Sequence, residues 1–440
     1  MKLRTIAGII SLSLALFSGS ALAYDCSALP EWKRQAYYLA GTEVQYQEVA
    51  YVNDEPSKRD YPDEGYPWAP LGACESTGGG GGSGEPVDPQ DISIYGAWHC
   101  GNDYCTWASV RDMNEFDEKN HWLIDRGDDS GYPSMTCDRT VPLSCNPSVN
   151  LVVLSFVHPL RLLHKTTDEQ TLNGVPRGMT QEVVGYFKKQ GVRVMLSIGG
   201  ITYTDAWNQA LAEDASQLGL NAASVAGELG VGIEIDYEEN RNPDLEGLQA
   251  FIDAYRSVYE YDVSGTNHAA RLTIDLAAGD RWLIALTERA TAQWLNTIDP
   301  VLDYANAMVT PRQSTAEKVI ANWQEHIDGK PQYSPPIPPL APAKLTGSLW
   351  LTGRKPAPEC VDFSKSLQNP SATGDYVQTV MPNGAGSSHG MLGYMFWAAE
   401  CEGTRTDCTT PYYNNTCQGG MGEAAAFYDI PIPMQELRPD

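Results

Sequence analysis

The 440-residue chain is short of positive charge, of histidine and of long apolar runs, and each shortage excludes something. Lysine and arginine together number 30 against 56 aspartates and glutamates, a formal net charge of −26. A surface of that sign repels nucleic acid and anionic membranes, so neither is expected as a partner. The seven histidines fall in no H-E-x-x-H or similar spacing. No Cys-x-x-Cys pair occurs either, so the sequence offers no zinc site. The longest leading apolar run, Ile6 to Phe17, is well short of the ~20 residues a membrane-spanning helix needs.

What is present begins with export. Lys2 and Arg4 precede that apolar run, and Ala21-Leu22-Ala23 follows it. A basic start, a short apolar core and an A-x-A-like site read as a secretory signal peptide over 1–23. The protein is therefore expected outside the cell, secreted and without a membrane anchor. Lys2 and Arg4 are the leader's only charged side chains, so the remainder carries 28 basic residues against 56 acidic ones. All ten cysteines follow the leader, and in an exported chain an even number reads as disulfides.

The stretch "ESTGGGGGSGEPVDPQ" can bury nothing and reads as a flexible linker over 75–90. It separates a small part, 24–74, from a large one, 91–440. The small part opens with Cys26 and closes with Cys74, and a domain of that size usually needs such a staple. Between the cysteines lie Trp32, Tyr37, Tyr38, Tyr46, Tyr51, Tyr61, Tyr66 and Trp68. That is more ring surface than a small core can hide, and exposed rings suit stacking on sugar faces. The pattern Trp32, Tyr38, Gly41, Val44, Tyr46, Tyr51, Trp68, Gly72, Cys74 resembles the small chitin- and cellulose-binding modules of families 5 and 12. The resemblance implies a β-rich carbohydrate-binding module with Trp32, Tyr61, Tyr66 and Trp68 as candidate sugar contacts. Where those modules carry a Trp platform after the Tyr51 position, this chain has Asp54 and Glu55.

The large part alternates eight β-like runs with helical stretches. The runs are 92–98, 150–157, 192–200, 231–239, 271–279, 302–309, 345–353 and 389–400. This alternation predicts an α/β fold with a parallel sheet, closed as a (β/α)8 TIM barrel. The irregular segment 99–149 holds four cysteines and reads as a disulfide-tied insertion after the first strand.

One run stands apart. "VGIEIDYEEN", 231–240, carries Glu234, Asp236, Glu238 and Glu239, the first three alternating with Ile233, Ile235 and Tyr237. Side chains on a strand alternate faces, so Glu234, Asp236 and Glu238 share one. On a one-sided antiparallel sheet that face would simply be wet. In a parallel barrel it points inward, the isoleucines pack on helices, and three acids meet in a sheltered interior. They cannot all ionise comfortably there, so at least one pKa must rise, which suits a general acid. Glu238, nearest the C-terminal end of the strand, opens onto the face where barrels carry their chemistry. Acids from one strand cannot straddle a sugar, which favours assistance by the substrate's own 2-acetamido group.

"VGIEIDYE" resembles the D-G-x-D-x-D-x-E signature of the family-18 glycoside hydrolases, chiefly chitinases. "SIGG" at 197–200 resembles their S-x-G-G, "GYMFW" at 393–397 their strand-eight G-x-M-x-W, and "IYGAW" at 94–98 their strand-one Tyr-x-x-Trp. The resemblance implies a secreted chitinase cleaving β-1,4 bonds between N-acetylglucosamine units with retention. It would need no metal or organic cofactor and would act as a monomer. It implies Glu238 as acid/base, Asp236 as holder of the acetamido group, Glu234 as proton-sharing neighbour and Trp397 beneath the sugar. Tyr95, Trp98, Tyr203 and Met308 are further candidate substrate contacts. Val231 replaces the signature's first Asp, and Thr310-Pro311 stands where the family has a strand-six Tyr. Two other readings share the motif: a chitin-binding barrel without turnover, and an endo-β-N-acetylglucosaminidase acting on N-glycan cores.

Overall fold

The computed structural model describes residues 26, 29, 37–38, 40–46, 49–55, 57–58, 62, 67–73, 89–100, 138, 140–145, 147, 149–277, 282–296, 298–308, 316–350, 372–384, 388–397, 430, 432 and 434. The chain divides into two compact units, Met1–Pro86 and Val87–Asp440. The division falls inside the expected linker. The expected leader and most of the expected linker and insertion lie outside the described residues.

In the smaller unit, Glu43–Tyr46, Val49–Asn53 and Trp68–Ala73 form an antiparallel sheet. Its core is Val44, Tyr51 and Trp68, with Tyr46 and Val49 packed against them. Trp68 is only 3% exposed, which corrects its assignment as a sugar contact. A unit this small has few apolar residues, so its large rings go to the core before the surface. Trp32, Tyr61, Tyr66 and Cys74 lie outside the described residues. Cys26 is buried and disulfide-bonded, as is Cys145 in the larger unit.

The larger unit is a closed barrel of eight parallel strands. They are β1 (Ile94–Cys100), β2 (Leu151–Val157), β3 (Arg193–Gly199), β4 (Gly232–Asp236), β5 (Leu272–Leu276), β6 (Ala305–Ala307), β7 (Leu345–Trp350) and β8 (Gly393–Trp397). Each pairs with the next, and β8 closes on β1. All eight runs expected from the sequence supply one strand each. Helices α1 (Pro159–Leu163), α2 (Gln181–Lys189), α3 (Thr204–Leu229), α4 (Leu245–Val258), α5 (Ile284–Arg289), α6 (Ala316–Asp328) and α7 (Ala372–Thr379) lie between strands. Side-chain oxygens start two of them: Thr180 accepts from the Val183 N–H and Asp244 from the Gly247 N–H. Among the described residues no helix is long and apolar enough to cross a membrane.

Strand alternation sorts the core into two parts. Val194, Leu196, Ile198, Ile233, Ile235, Leu272, Ile274 and Leu276 face outward and join helix residues such as Trp207, Phe251 and Tyr255. Ile94, Trp98, Leu151, Val153, Met195, Tyr304 and Met395 fill the interior. The acids of β4 therefore belong to the inside of the barrel, and its isoleucines to the helix side. Val231 has the outward parity and is fully buried against the helix-side core. An apolar side chain suits that place, which explains how the chain does without an acid there.

Candidate active site

Glu234 and Asp236 are buried inside the barrel, and Glu238, just past the end of β4, is half-buried. Their register fixes their neighbours: Ser197 lies opposite Glu234 and Gly199 opposite Asp236. Glu239 behaves differently. It accepts from the Arg241 and Asn242 N–H groups and from Asn208 Nδ2. Those bonds hold its pKa below the usual carboxylate range and make it a brace for the loop. The acidic stretch is thus three inward carboxyls and one loop tie.

A polar network surrounds Glu234. Trp98 Nε1 donates to its Oε1 at 2.9 Å, and Asn306 Nδ2 donates to its Oε2 at 2.7 Å. Asn306 Nδ2 also reaches Asp275 Oδ1 at 3.1 Å, and its own Oδ1 accepts from Thr346 Oγ1 at 2.6 Å. Five strands, β1, β4, β5, β6 and β7, contribute. The Glu234 and Asp275 carboxyls bond each other, which requires a proton between them. Burial, then the charges of Glu234 and Asp236, hold Asp275 well above the usual range. Burial also raises Glu234, partly offset by its hydrogen bonds.

The two upper acids are less supported. Burial, then Glu238 and Glu234 in turn, drive Asp236 well above its ordinary pKa. Its Oδ1 has no hydrogen-bond partner, and the hydroxyls of Thr273 and Ser348 have none either. Burial pushes Glu238 up to about 7 against the opposing Ile201 N–H bond. A carboxyl poised there both gives and takes a proton near neutrality.

The S-I-G-G run holds this strand end. Gly200 N–H and Trp207 Nε1–H both donate to the Asp236 carbonyl, at 3.0 and 3.1 Å. Gly199 has φ +125°, and a Cβ there would collide with that same carbonyl and with the Trp207 indole. A Cβ on Gly200 would meet the Phe156 ring. Gly199 is needed because the backbone passes this close to the acids' strand, and Gly200 because it has φ +87° and faces that ring.

Trp397, at the end of β8, is half-buried. It stacks on Phe156 with centroids 5.9 Å apart and planes 22° apart, and tilts against Trp98 at 6.1 Å. Beside Phe156 lies a cleft of about 190 Å³ lined by His158, Arg161, Gln170, Thr171 and Tyr203. Tyr203 sits here, its ring 4.6 Å from that of His158.

Three expected contacts fall elsewhere. Tyr95 is fully buried on the outer face of β1, against Tyr394 and Phe396. Residues three apart on a strand point opposite ways, so Tyr95 and Trp98 cannot both face the pocket. Trp98 does face inward, but at 3% exposure it serves as a hydrogen-bond donor to Glu234 and offers no open ring face. Met308 lies just past the end of β6, where alternation lapses, and packs against the helix-side core. Asp275, Asn306, Thr346, Phe156 and His158 went unnoticed in the sequence. The one available signal was the polar alternation Thr273, Asp275 within "LTIDL". Among the described residues no group of three or more His, Cys, Asp or Glu is arranged to hold a metal ion.

No family model matches the sequence, and no curated protein matches it. Solved structures resemble the chain distantly. A family GH18 chitinase from Chromobacterium violaceum is 12% identical, with 90% of this chain and 100% of that one covered at a TM-score of 0.39. The chitinase RmChi1 from Rhizomucor miehei is 11% identical, covering 68% and 97% at 0.37. The Group IV chitinase of Ostrinia furnacalis, in complex with allosamidin, is 10% identical, covering 77% and 98% at 0.37.

Proposed function

We propose that the protein is an exported glycoside hydrolase that cuts β-1,4 bonds between N-acetylglucosamine units by substrate assistance, with retention. The observation that carries this reading is the stacked carboxyls of β4: Asp236, buried and short of a hydrogen-bond partner, below a Glu238 raised to about 7. Neighbours two apart on a strand stand about 7 Å from each other, on one side of any bound sugar. A nucleophile on the opposite face must then come from the substrate.

Glu238 protonates the glycosidic oxygen, the bond to the anomeric carbon breaks, and the acetamido oxygen closes on that carbon. Asp236 accepts the acetamide N–H and stabilises the positive charge of the ring so formed. Water then attacks the anomeric carbon, giving its proton to Glu238, as the bond from that carbon to the acetamido oxygen breaks and the acetamide is restored. Glu234, held by Trp98 and Asn306, sets the charge that Asp236 feels from below. Trp397 offers a ring face to the sugar at the mouth, and the cleft past Phe156 gives an extended chain a path onward.

Purified protein and its Glu238→Gln variant, assayed on colloidal chitin and on a high-mannose glycoprotein, test the proposal. The expected outcome is release of N-acetylglucosamine oligomers by the parent only, with oligomer binding kept in the variant. Cleavage of the glycoprotein alone would move the substrate to N-glycan cores. Binding without turnover in the parent would leave a lectin.

A further inference from the structure

The opposite end of the barrel interior carries buried positive charge that the chemistry above does not use. Arg193 opens β3 with the inward parity of Met195 and Ser197, and Arg271 precedes β5 with the inward parity of Thr273. They are 7% and 3% exposed. Gly232 of β4, between their strands, leaves room: a Cβ there would stand 2.9 Å from the Arg271 Cβ and 3.0 Å from the Met195 Cγ.

The acceptors nearby are already committed. Arg271 Nη1 bonds Asp303 Oδ1 at 2.5 Å, while Asp303 Oδ2 takes the Leu272 N–H at 2.6 Å and Arg256 Nη2 at 3.3 Å. Asp262 is spent on Ser264 and on the Asn267 N–H. Arg193 Nη2 has only the Gly265 carbonyl, at 2.7 Å. Among the described residues Arg193 enters no ion pair. Three buried donors then have no protein acceptor: Arg193 Nη1, Arg271 Nε and Arg271 Nη2. Two of them converge. A Cβ on Gly265 would collide with Arg271 Nη2 and lie 3.9 Å from Arg193 Nη1.

Further positive charge bears on the same place. Burial, then Arg193, Lys188 and Arg271, push His268 down to about 4, so it stays neutral. Burial and Arg271 pull Arg193 down to about 10, which leaves it charged at neutral pH. Neutral water would satisfy the free N–H groups but not the repulsion between two guanidinium ions held this close. An anion does both.

We infer that the N-terminal floor of the barrel is a binding site for a small inorganic anion of the halide class, held between Arg193 Nη1 and the Nε and Nη2 of Arg271. In a chain with a net charge of −26, this is a local inversion of sign. Its function is to complete the fold at the end away from the acids.

The direct test is diffraction from crystals of the full chain grown or soaked in bromide. An anomalous peak between the two guanidinium groups is expected; an ordered floor with no peak there overturns the inference. In solution, thermal unfolding is followed while chloride replaces gluconate at constant ionic strength. The parent is expected to gain about 2–5 °C along a saturable curve, and Arg193→Met to lose that dependence. A parent whose melting point ignores chloride, or a variant with the same saturable gain, would refute the site. If Arg193→Met fails to fold, the bromide experiment on the parent still decides.

Discussion

The two ends of the barrel interior put opposite charges in equivalent places, and the molecule resolves them differently. At the C-terminal end, Glu234, Asp236 and Asp275 point inward from neighbouring strands; at the N-terminal end, Arg193 and Arg271 do. The acids can shed charge by taking up protons, and burial raises all three in that direction. A guanidinium has no such option at any ordinary pH. The acid end is therefore adjustable and suits proton transfer, whereas the basic end can only be neutralised by a partner of opposite charge. The same barrel position is chemically active or structurally demanding according to whether its occupant can titrate.

The contrast predicts a graded set of outcomes. Asp236→Asn, which removes the carboxylate while keeping its shape, is expected to lower turnover on N-acetylglucosamine oligomers by about 10²–10³ with KM little changed. Steady-state kinetics checks this, and loss of folding would show in the near-UV circular dichroism. Arg271→Met acts on stability. It strands part of Asp303 and is expected to cost about 3 kcal/mol in urea unfolding.

Asn306→Ala leaves the Glu234 and Asp275 oxygens without their shared donor and is expected to cost about 1–3 kcal/mol, again by urea unfolding. The smallest effect is a pH dependence. Glu238 is raised from 4.5 to about 7, so the folded parent binds the proton more tightly than the unfolded chain does. The contribution of Glu238 to stability is present at low pH and is lost as pH rises from about 4.5 to about 7. Glu238→Gln has no such loss. Its melting point relative to the parent is expected to improve between pH 4.5 and pH 8.

Much of the acid end was legible in the sequence because a strand's period is short and local. Ile233 and Ile235 between Glu234, Asp236 and Glu238 already state which side is apolar. The network below was not legible. Asp275, Asn306 and Thr346 are single polar residues on three separate strands, and only closure of the barrel makes them neighbours. Trp98 and Tyr95 read as one motif by spacing, but alternation sends them to opposite faces. Trp68 read as a candidate sugar contact, yet a small unit's scarcity of apolar side chains draws it inward. The basic floor left almost no trace, since Arg193 and Arg271 look like ordinary residues at strand starts until burial is known.

The most direct measurement is the pH profile of kcat/KM for a soluble N-acetylglucosamine oligomer. If Glu238 donates the proton from a sheltered carboxyl, the rate declines above about pH 7, roughly tenfold per unit, because the protonated form disappears. A rate that stays level to pH 9, or no hydrolysis at any pH, would contradict the account.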